Sequence, residues 1–241
     1  MNKIGVPLFV VPFFIFLLLS SCATRINGVL SAEGQADLQV SVALEPRMTA
    51  FIQRTSVAAG AQSGAALLDG PALSASMLAA PGVAAASLAN TTPSAVQGPV
   101  SISRLGDFLA FGDGRAREFV SFEQNGAQGG KCVISLSRDS GTDVLAFISP
   151  EIVDYLTMLM APVATGESLS KTEYLALVGS VYGKAIADEI AKSIIAASLT
   201  FPGQVQSVSG GTFSGTKAEF AIPLLDVLVL ENPLYFEVTW K

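Results

Sequence analysis

The sequence predicts a domain that mixes β-strands with α-helices. Apolar and polar residues alternate over residues 38–45 and again over residues 234–240, which is typical of half-buried strands. Residues 117–149 have the pattern of a β-meander, because two strand-like runs flank the glycine-rich turn "NGAQGG". Helical spacing of apolar residues follows from Pro150 onward and again from Ser170 onward.

The first 21 residues have the three-part build of a secretory signal. A short basic start at Lys3 precedes an apolar run over residues 4–19, and Ser20 and Ser21 are small. A transmembrane helix needs about 20 apolar residues, so this run is too short to span a membrane comfortably. We therefore expect residues 1–21 to be a leader that is removed, and residues 22–241 to form one domain.

The end of this leader, Leu19-Ser20-Ser21-Cys22, resembles a bacterial lipobox. The resemblance implies cleavage before Cys22 and a diacylglyceryl group on its sulfur. We therefore expect this lipid to anchor the protein to a membrane. It also implies a location in the bacterial cell envelope. Because Ala23 stands where an Asp would resemble an inner-membrane retention signal, the outer membrane is favoured over the inner one. An ordinary cleaved signal and an uncleaved anchor helix are the alternatives.

Charge and residue counts exclude several classes of function. Of the 14 Lys and Arg residues only Lys3 lies in the leader, so the mature chain keeps 13 against 20 acidic residues, a net charge of −7. An acidic chain has no electrostatic footprint for nucleic acid. The chain contains no histidine, which excludes Ser-His-Asp and Cys-His nucleophile systems and HExxH zinc sites. With Cys22 acylated, Cys132 is the one remaining thiol, so we expect no intramolecular disulfide and a buried, inert Cys132.

Between the first strand and the meander lies an insertion rich in Ala, Ser and Gly, at about residues 56–103. The strand ends at Pro46, and residues 47–55 have the pattern of a short helix. Within the insertion, Pro71 can begin a helix that ends at Pro81, and a second short helix is expected up to Asn90. The segment is interpreted either as closely packed helices or low-complexity sequence, or as a flexible apolar flap over a cavity or against the bilayer.

The second half of the chain carries clearer signals. The turn at residues 138–143 is expected to lead into a third meander strand at "VLAFIS". A capping box formed by Ser170 and Glu173 opens a helix that we expect to continue to about Lys192. Several strands follow, broken at Pro202-Gly203 and at Gly210-Gly211.

The C-terminal segment is similar to the end of an LppM-type bacterial lipoprotein domain. The positions that carry this resemblance are Pro202, Gly203, Val205, Gly210, Gly211, Ser214, Gly215, Val238 and Trp240. The opening strand that closes on Pro46 also lies where that family has its first strand. The resemblance implies an α+β fold, with a curved antiparallel sheet packed with helices and enclosing an apolar cavity. It also implies a binding role outside the cytoplasm, and it carries over no catalytic residues.

Three fragments resemble catalytic or cofactor motifs, and each is incomplete. Ser168-Leu169-Ser170-Lys171 fits the S-x-x-K of penicillin-binding proteins, but the companion elements are missing. Residues 139–142 resemble the D-S-G-T turn of aspartic proteases, but Arg138 stands where that family has a small or apolar residue. The glycines at residues 112–114 and 126–130 complete no nucleotide fingerprint. We therefore expect no enzyme activity, no cofactor and no metal.

Two hypotheses of function remain. The first is a lipid-anchored envelope protein that binds an apolar or amphiphilic ligand in an interior pocket. The candidate wall residues are Leu38, Val40, Val42, Phe236, Val238 and Trp240, each of which could equally be plain core. The second is an envelope scaffold or surface interaction module without a ligand cavity.

Overall fold

The computed structural model of the protein describes residues 22–58, 66–110, 119–124, 129–145 and 156–241, which form two β-sheets and several helices. The strands are β1 (Cys22–Leu30), β2 (Ala36–Leu44), β3 (Val83–Ala86), β4 (Ala89–Thr92), β5 (Ala95–Ile102), β6 (Val120–Gln124), β7 (Gly130–Leu136), β8 (Ile194–Thr200), β9 (Val205–Ser209), β10 (Thr212–Ser214), β11 (Lys217–Pro223) and β12 (Leu234–Trp240). This arrangement confirms the α+β class.

The larger sheet, which we call the main sheet, is built around β1. Its order is β10-β11-β8-β1-β2-β5-β3, and β4 also pairs with β5. β1 forms an antiparallel hairpin with β2 and a parallel pair with β8 in which Thr24 lies opposite Ile195. The pairs β2–β5 and β8–β11 are antiparallel. The main sheet is therefore antiparallel except at its centre.

The main sheet buries one face and exposes the other. In β2 the residues from Ala36 to Leu44 alternate, with every second side chain buried. The register with β1 and β5 continues this face across the sheet, where Ile26 and Val100 are also buried. Alternation of this kind is expected when one face packs on a core and the other faces water.

The second sheet has the order β6-β7-β12-β9 and all its pairs are antiparallel. It contacts the main sheet through aromatic side chains. Phe236 of β12 meets Phe220 of β11 edge to face, with ring centroids 5.7 Å apart. Trp240 lies against Phe201, which directly follows β8, with ring centroids 4.9 Å apart. The last strand of the chain therefore ties the two sheets together.

The helices in the described residues are short. They are α1 (Pro46–Ala58), α2 (Gly70–Leu78), α3 (Leu105–Ala110), α4 (Arg138–Leu145), α5 (Pro162–Thr165), α6 (Lys171–Tyr182), α7 (Lys184–Lys192) and α8 (Leu224–Val229). α7 packs against α1, α6 and α8, and α8 also packs against α5. Leu156, Tyr174, Val178, Ile190 and Leu228 from this region are fully buried.

Capping signals predicted the helix starts correctly. Asp69 accepts a hydrogen bond from the Ala72 amide at the start of α2, where Pro71 occupies the first turn. Ser170 and Glu173 form both hydrogen bonds of the predicted capping box at the start of α6. The helix predicted over residues 47–55 is α1.

Four local predictions differ from the structure. No strand was predicted over β1. The helix expected up to Asn90 is replaced by β3 and β4, because pairing with β5 outweighs the helix preference of alanine. Residues 138–145 form α4 rather than a turn and strand, since Ser137 and Ser140 each accept the other's amide at the helix start. The single helix expected from Ser170 to Lys192 ends at Gly183, whose φ of 95° no helix accommodates.

Other predictions fall on residues outside the described ranges. These are the leader over residues 1–21, the start of the helix expected from Pro150, and the end of the strand expected at residues 144–149. Within the Ala-rich segment, residues 95–102 form β5 and belong to the main sheet.

The Trp240 ring requires a glycine at position 130. A Cβ on Gly130 would lie 2.3 Å from Cζ2 of Trp240 and 2.5 Å from the carbonyl oxygen of Glu123. Gly130→Ala should therefore destabilise the fold by about 1 to 3 kcal/mol, the range for overpacking a core. Gly106→Ala is the control, because nothing lies within 4 Å of its Cβ position in α3. We expect it to be neutral or stabilising in urea denaturation, and equal effects of the two changes would contradict this account.

Glu189 of α7 holds the start of α1. Its two carboxylate oxygens accept the amides of Arg47 and Met48, each at 3.0 Å, and its side chain is only 16% exposed. Glu189→Ala leaves two helix amides without partners, so it should lower the free energy of unfolding by about 1 to 2 kcal/mol. The neighbouring Asp188→Ala breaks only an exposed pair with Lys184 and should have no measurable effect. Chemical denaturation of both variants tests this, and an Asp188 effect as large as that of Glu189 would contradict it.

Candidate anchoring site and apolar interior

Cys22, the candidate lipidation site, is the first residue of β1. Its Cα pairs with that of Leu44, the last residue of β2. No linker therefore separates Cys22 from the main sheet. A lipid on Cys22 would be attached directly to the end of a central strand.

Three of the six candidate pocket residues lie on the buried face of the main sheet. Leu38, Val40 and Val42 alternate along β2 and are 3%, 2% and 0% exposed. Leu38 lies over Gly28 of β1, where a Cβ would come within 2.4 Å of its Cδ2. These three side chains fill the interior side of β2.

The other three candidates lie on β12 in the second sheet. Val238 pairs with Cys132 on one side and Val208 on the other, and both Val238 and Trp240 are 3% exposed. Phe236 is partly buried and packs against the core. The structure therefore places the six candidates in two groups of three, on different sheets, and both groups belong to one continuous apolar cluster.

Several buried side-chain polar atoms have no hydrogen-bond partner among the described residues. Three of them are Oγ1 of Thr24, Nε of Arg138 and Nε1 of Trp240, of which Thr24 and Trp240 lie among apolar side chains. Thr24 is 0% exposed, on the buried face of β1 opposite Val42. Such atoms are rare, and each one calls for an explanation such as water or a ligand. Thr24 was missed by the sequence analysis because no strand was assigned to β1, although Ile26 lies between the polar Arg25 and Asn27.

The outward face of the main sheet carries two shallow concavities. One of about 590 Å³ lies over β1, β8 and β11 beside Arg25, Asn27 and Ser198. A second of about 550 Å³ lies over β1, β2 and β5 beside Val29, Gln39 and Pro99. Both open to solvent, and their linings mix small, polar and apolar residues.

The fragments that resemble catalytic motifs hold the fold together. Ser168 Oγ accepts a hydrogen bond from Arg138, which also donates to the carbonyl oxygens of Leu169 and Val229. Lys171 forms an ion pair with Asp226 at 2.8 Å. The hydrogen bond that Lys171 donates to Asp226 raises the pKa of Lys171, which is the opposite of what a general base needs. Asp139 lies in the first turn of α4.

Comparisons with known proteins give one structural likeness. No family model matches the chain, and no curated protein matches it. Among solved structures, it is similar to the NMR structure of the folded domain of the Mycobacterium tuberculosis LppM protein. The similarity covers 92% of this chain and 90% of that one, at 11% sequence identity and a TM-score of 0.41.

Among the helices in the described residues, none has the length and apolar character required to cross a membrane.

Cys132 should react slowly with alkylating reagents. It lies in the middle of β7, partly exposed as a residue, but burial of its thiol raises the pKa to about 11. Compared with a cysteine of pKa 9.0, its reactive thiolate fraction at pH 8 is smaller by about a hundredfold. Iodoacetamide labelling followed by mass spectrometry should be slow for the folded protein and fast in urea. Rapid labelling of the folded protein would contradict a buried thiol.

Proposed function

We propose that this chain is a lipid-anchored lipoprotein of the bacterial envelope, without catalytic activity, that binds an apolar or amphiphilic ligand in its interior. The observation that carries the anchoring is the sequence Leu19-Ser20-Ser21-Cys22, which marks a cleavage site before Cys22. In the described residues Cys22 already pairs with Leu44 at the end of β2. Cleavage there leaves the central strand of the main sheet intact. We place the protein in the outer membrane because Ala23, not Asp, follows Cys22.

The buried polar atoms without a hydrogen-bond partner support the proposal of an interior ligand. Nε1 of Trp240 is a donor with no partner among the described residues, in an apolar setting between Phe122 and Phe201. An amphiphile fits both features of this setting. Its chain is apolar like the surrounding rings, and its headgroup or ester oxygens can accept a hydrogen bond from the indole.

The second candidate function is a scaffold or interaction module. It is favoured by the continuous packing of the apolar cluster, which includes all six candidate pocket residues. Such a protein would have a solid core, and its partners would bind the outside.

Mass spectrometry of the full chain expressed in a bacterium tests the anchoring. We expect a chain that begins at Cys22 and carries a diacylglyceryl group on its sulfur. Cys22→Ser should abolish the lipid, whereas Cys132→Ser should keep it. An unmodified mature chain would indicate an ordinary signal, and a chain that retains residues 1–21 would indicate an anchor helix. Either result would overturn the lipoprotein assignment.

The single tryptophan provides a test of the ligand. Trp240 is the chain's one Trp and is 3% exposed. Dibromostearate added to the vesicle-anchored protein should quench its fluorescence saturably if an amphiphile enters the interior. Trp240→Phe keeps the aromatic ring but removes the donor, so it should weaken uptake of a fluorescent fatty acid about fivefold, the effect of losing about 1 kcal/mol. Absence of both saturable quenching and saturable uptake would favour the scaffold.

A further inference from the structure

The end of the main sheet at Cys22 has a defined set of neighbours on the outward face. Ala23 pairs with Ala43 of β2, which in turn pairs with Ala95 of β5. On the other side of β1, Thr24 pairs with Ile195 of β8, so the preceding residue Ile194 is level with Ala23. Ile194 in turn pairs with Pro223 of β11. We call Ala43, Ala95, Ile194 and Pro223 the anchor row.

The anchor row is wholly apolar and partly open to solvent. Ile194 is 48% exposed, one of the few large apolar side chains that the described part of the chain leaves in water. Pro223 is exposed, and Ala43 and Ala95 are partly exposed. An isolated exposed apolar residue needs no explanation, but four in one row across four strands form a patch.

Polarity increases with distance from Cys22. The next outward row contains Arg25, and no carboxylate among the described residues pairs with it. The row after it contains Asn27, Gln39 and Glu219. The last row, at the far end of β1, contains Asp37, Ser101 and Lys217 around the exposed Val29. On β1, β2, β5, β8 and β11, the row level with Ala23 is therefore the outward row without a polar side chain, and a cation follows it.

We propose that the anchor row lies on the bilayer surface, with Arg25 reaching the lipid phosphates. This proposal rests on the lipidation of Cys22 proposed above. The acyl chains of Cys22 hold the first residue of β1 at the membrane, and the absence of a linker brings the anchor row to the same depth. A row of apolar side chains followed by Arg is the order in which an interface changes from acyl chains to phosphates.

The contact is at the boundary between the headgroups and the acyl chains and does not extend into the hydrocarbon core. On the opposite side of the same end, a cleft of about 280 Å³ is lined by charged residues, including Glu45, Arg47 and Lys192. Charges of both signs are stable among zwitterionic headgroups but not in acyl chains. The bilayer therefore meets the anchor row and the rim of this cleft together.

Ile194 and Val29 form a matched pair for testing this orientation. Both are β-branched and exposed, at 48% and 56%. They lie on adjacent strands at opposite ends, since Val29 pairs with Thr200 and Ile194 begins the same strand. The six residues between the two levels correspond to about 20 Å. The proposal places Ile194 at the membrane and Val29 well above it.

Full-length Ile194→Cys and Val29→Cys proteins would be labelled with an environment-sensitive fluorophore and reconstituted in phosphatidylcholine vesicles. Cys132→Ser versions of both check that the native thiol takes up no label. A headgroup nitroxide lipid should quench the label at position 194 at least about threefold more than the label at position 29, because nitroxide quenching requires close approach. Trp240 fluorescence in each sample reports whether the variant is folded.

Each outcome assigns the failure to one step. A mass without lipid on Cys22 would overturn the proposed anchoring. Lipid on Cys22 with equal quenching at both positions would overturn the orientation alone. The fluorophore at position 194 could also be as shielded from water in detergent solution as it is in vesicles. If the protein elutes as a dimer there, a second copy covers the anchor row and the bilayer assignment is wrong.

Discussion

The parallel pairing of β1 with β8 is the constraint on which the remaining structure depends. It joins residues about 170 positions apart, Thr24 to Ile195, and it places the first strand at the centre of the main sheet. Closing so long a loop has an entropic cost, so we expect this pairing to form later than the local hairpin of β1 with β2. On the other side of β8, β11 pairs antiparallel and extends the main sheet. The pairing of β1 with β8 also places Cys22 at the end of the main sheet.

The second sheet is secured at Trp240. The indole lies between Phe122 and Phe201, and glycines at 130 and 203 leave the room it occupies. At Gly203 a Cβ would lie 2.8 Å from the backbone of Lys241. The Pro202-Gly203 break and the glycine-rich turn before β7, which a sequence pattern identifies as turns, thus also have a packing role. A turn signal alone does not indicate which side chain approaches the glycine, so this role was invisible in the sequence.

The features that could be predicted from the sequence were individual strands and the starts of helices. Strong alternation identified β2 and β12, Pro71 identified the start of α2, and the capping box of Ser170 and Glu173 identified the start of α6. β1 was missed because Thr24 and Gly28 occupy inward positions where a strand usually has larger apolar residues. The pocket candidates were chosen by alternation, which does not specify the sheet to which a strand belongs. Only the pairing registers separate Leu38, Val40 and Val42 from the residues of β12.

The position of the anchor also limits how a ligand could bind. Thr24 lies two residues from Cys22, whereas Trp240 contacts Phe201, beyond the far end of β8. The distance between these levels along β8 is about 20 Å, the length of six strand residues. A single headgroup therefore cannot form hydrogen bonds with both Oγ1 of Thr24 and Nε1 of Trp240. If Cys22 is at the bilayer, the polar atom of Thr24 lies near the membrane and that of Trp240 lies far from it. An amphiphile held at Trp240 must then leave the bilayer completely, so its apolar chain has to be covered by the protein core rather than by lipid.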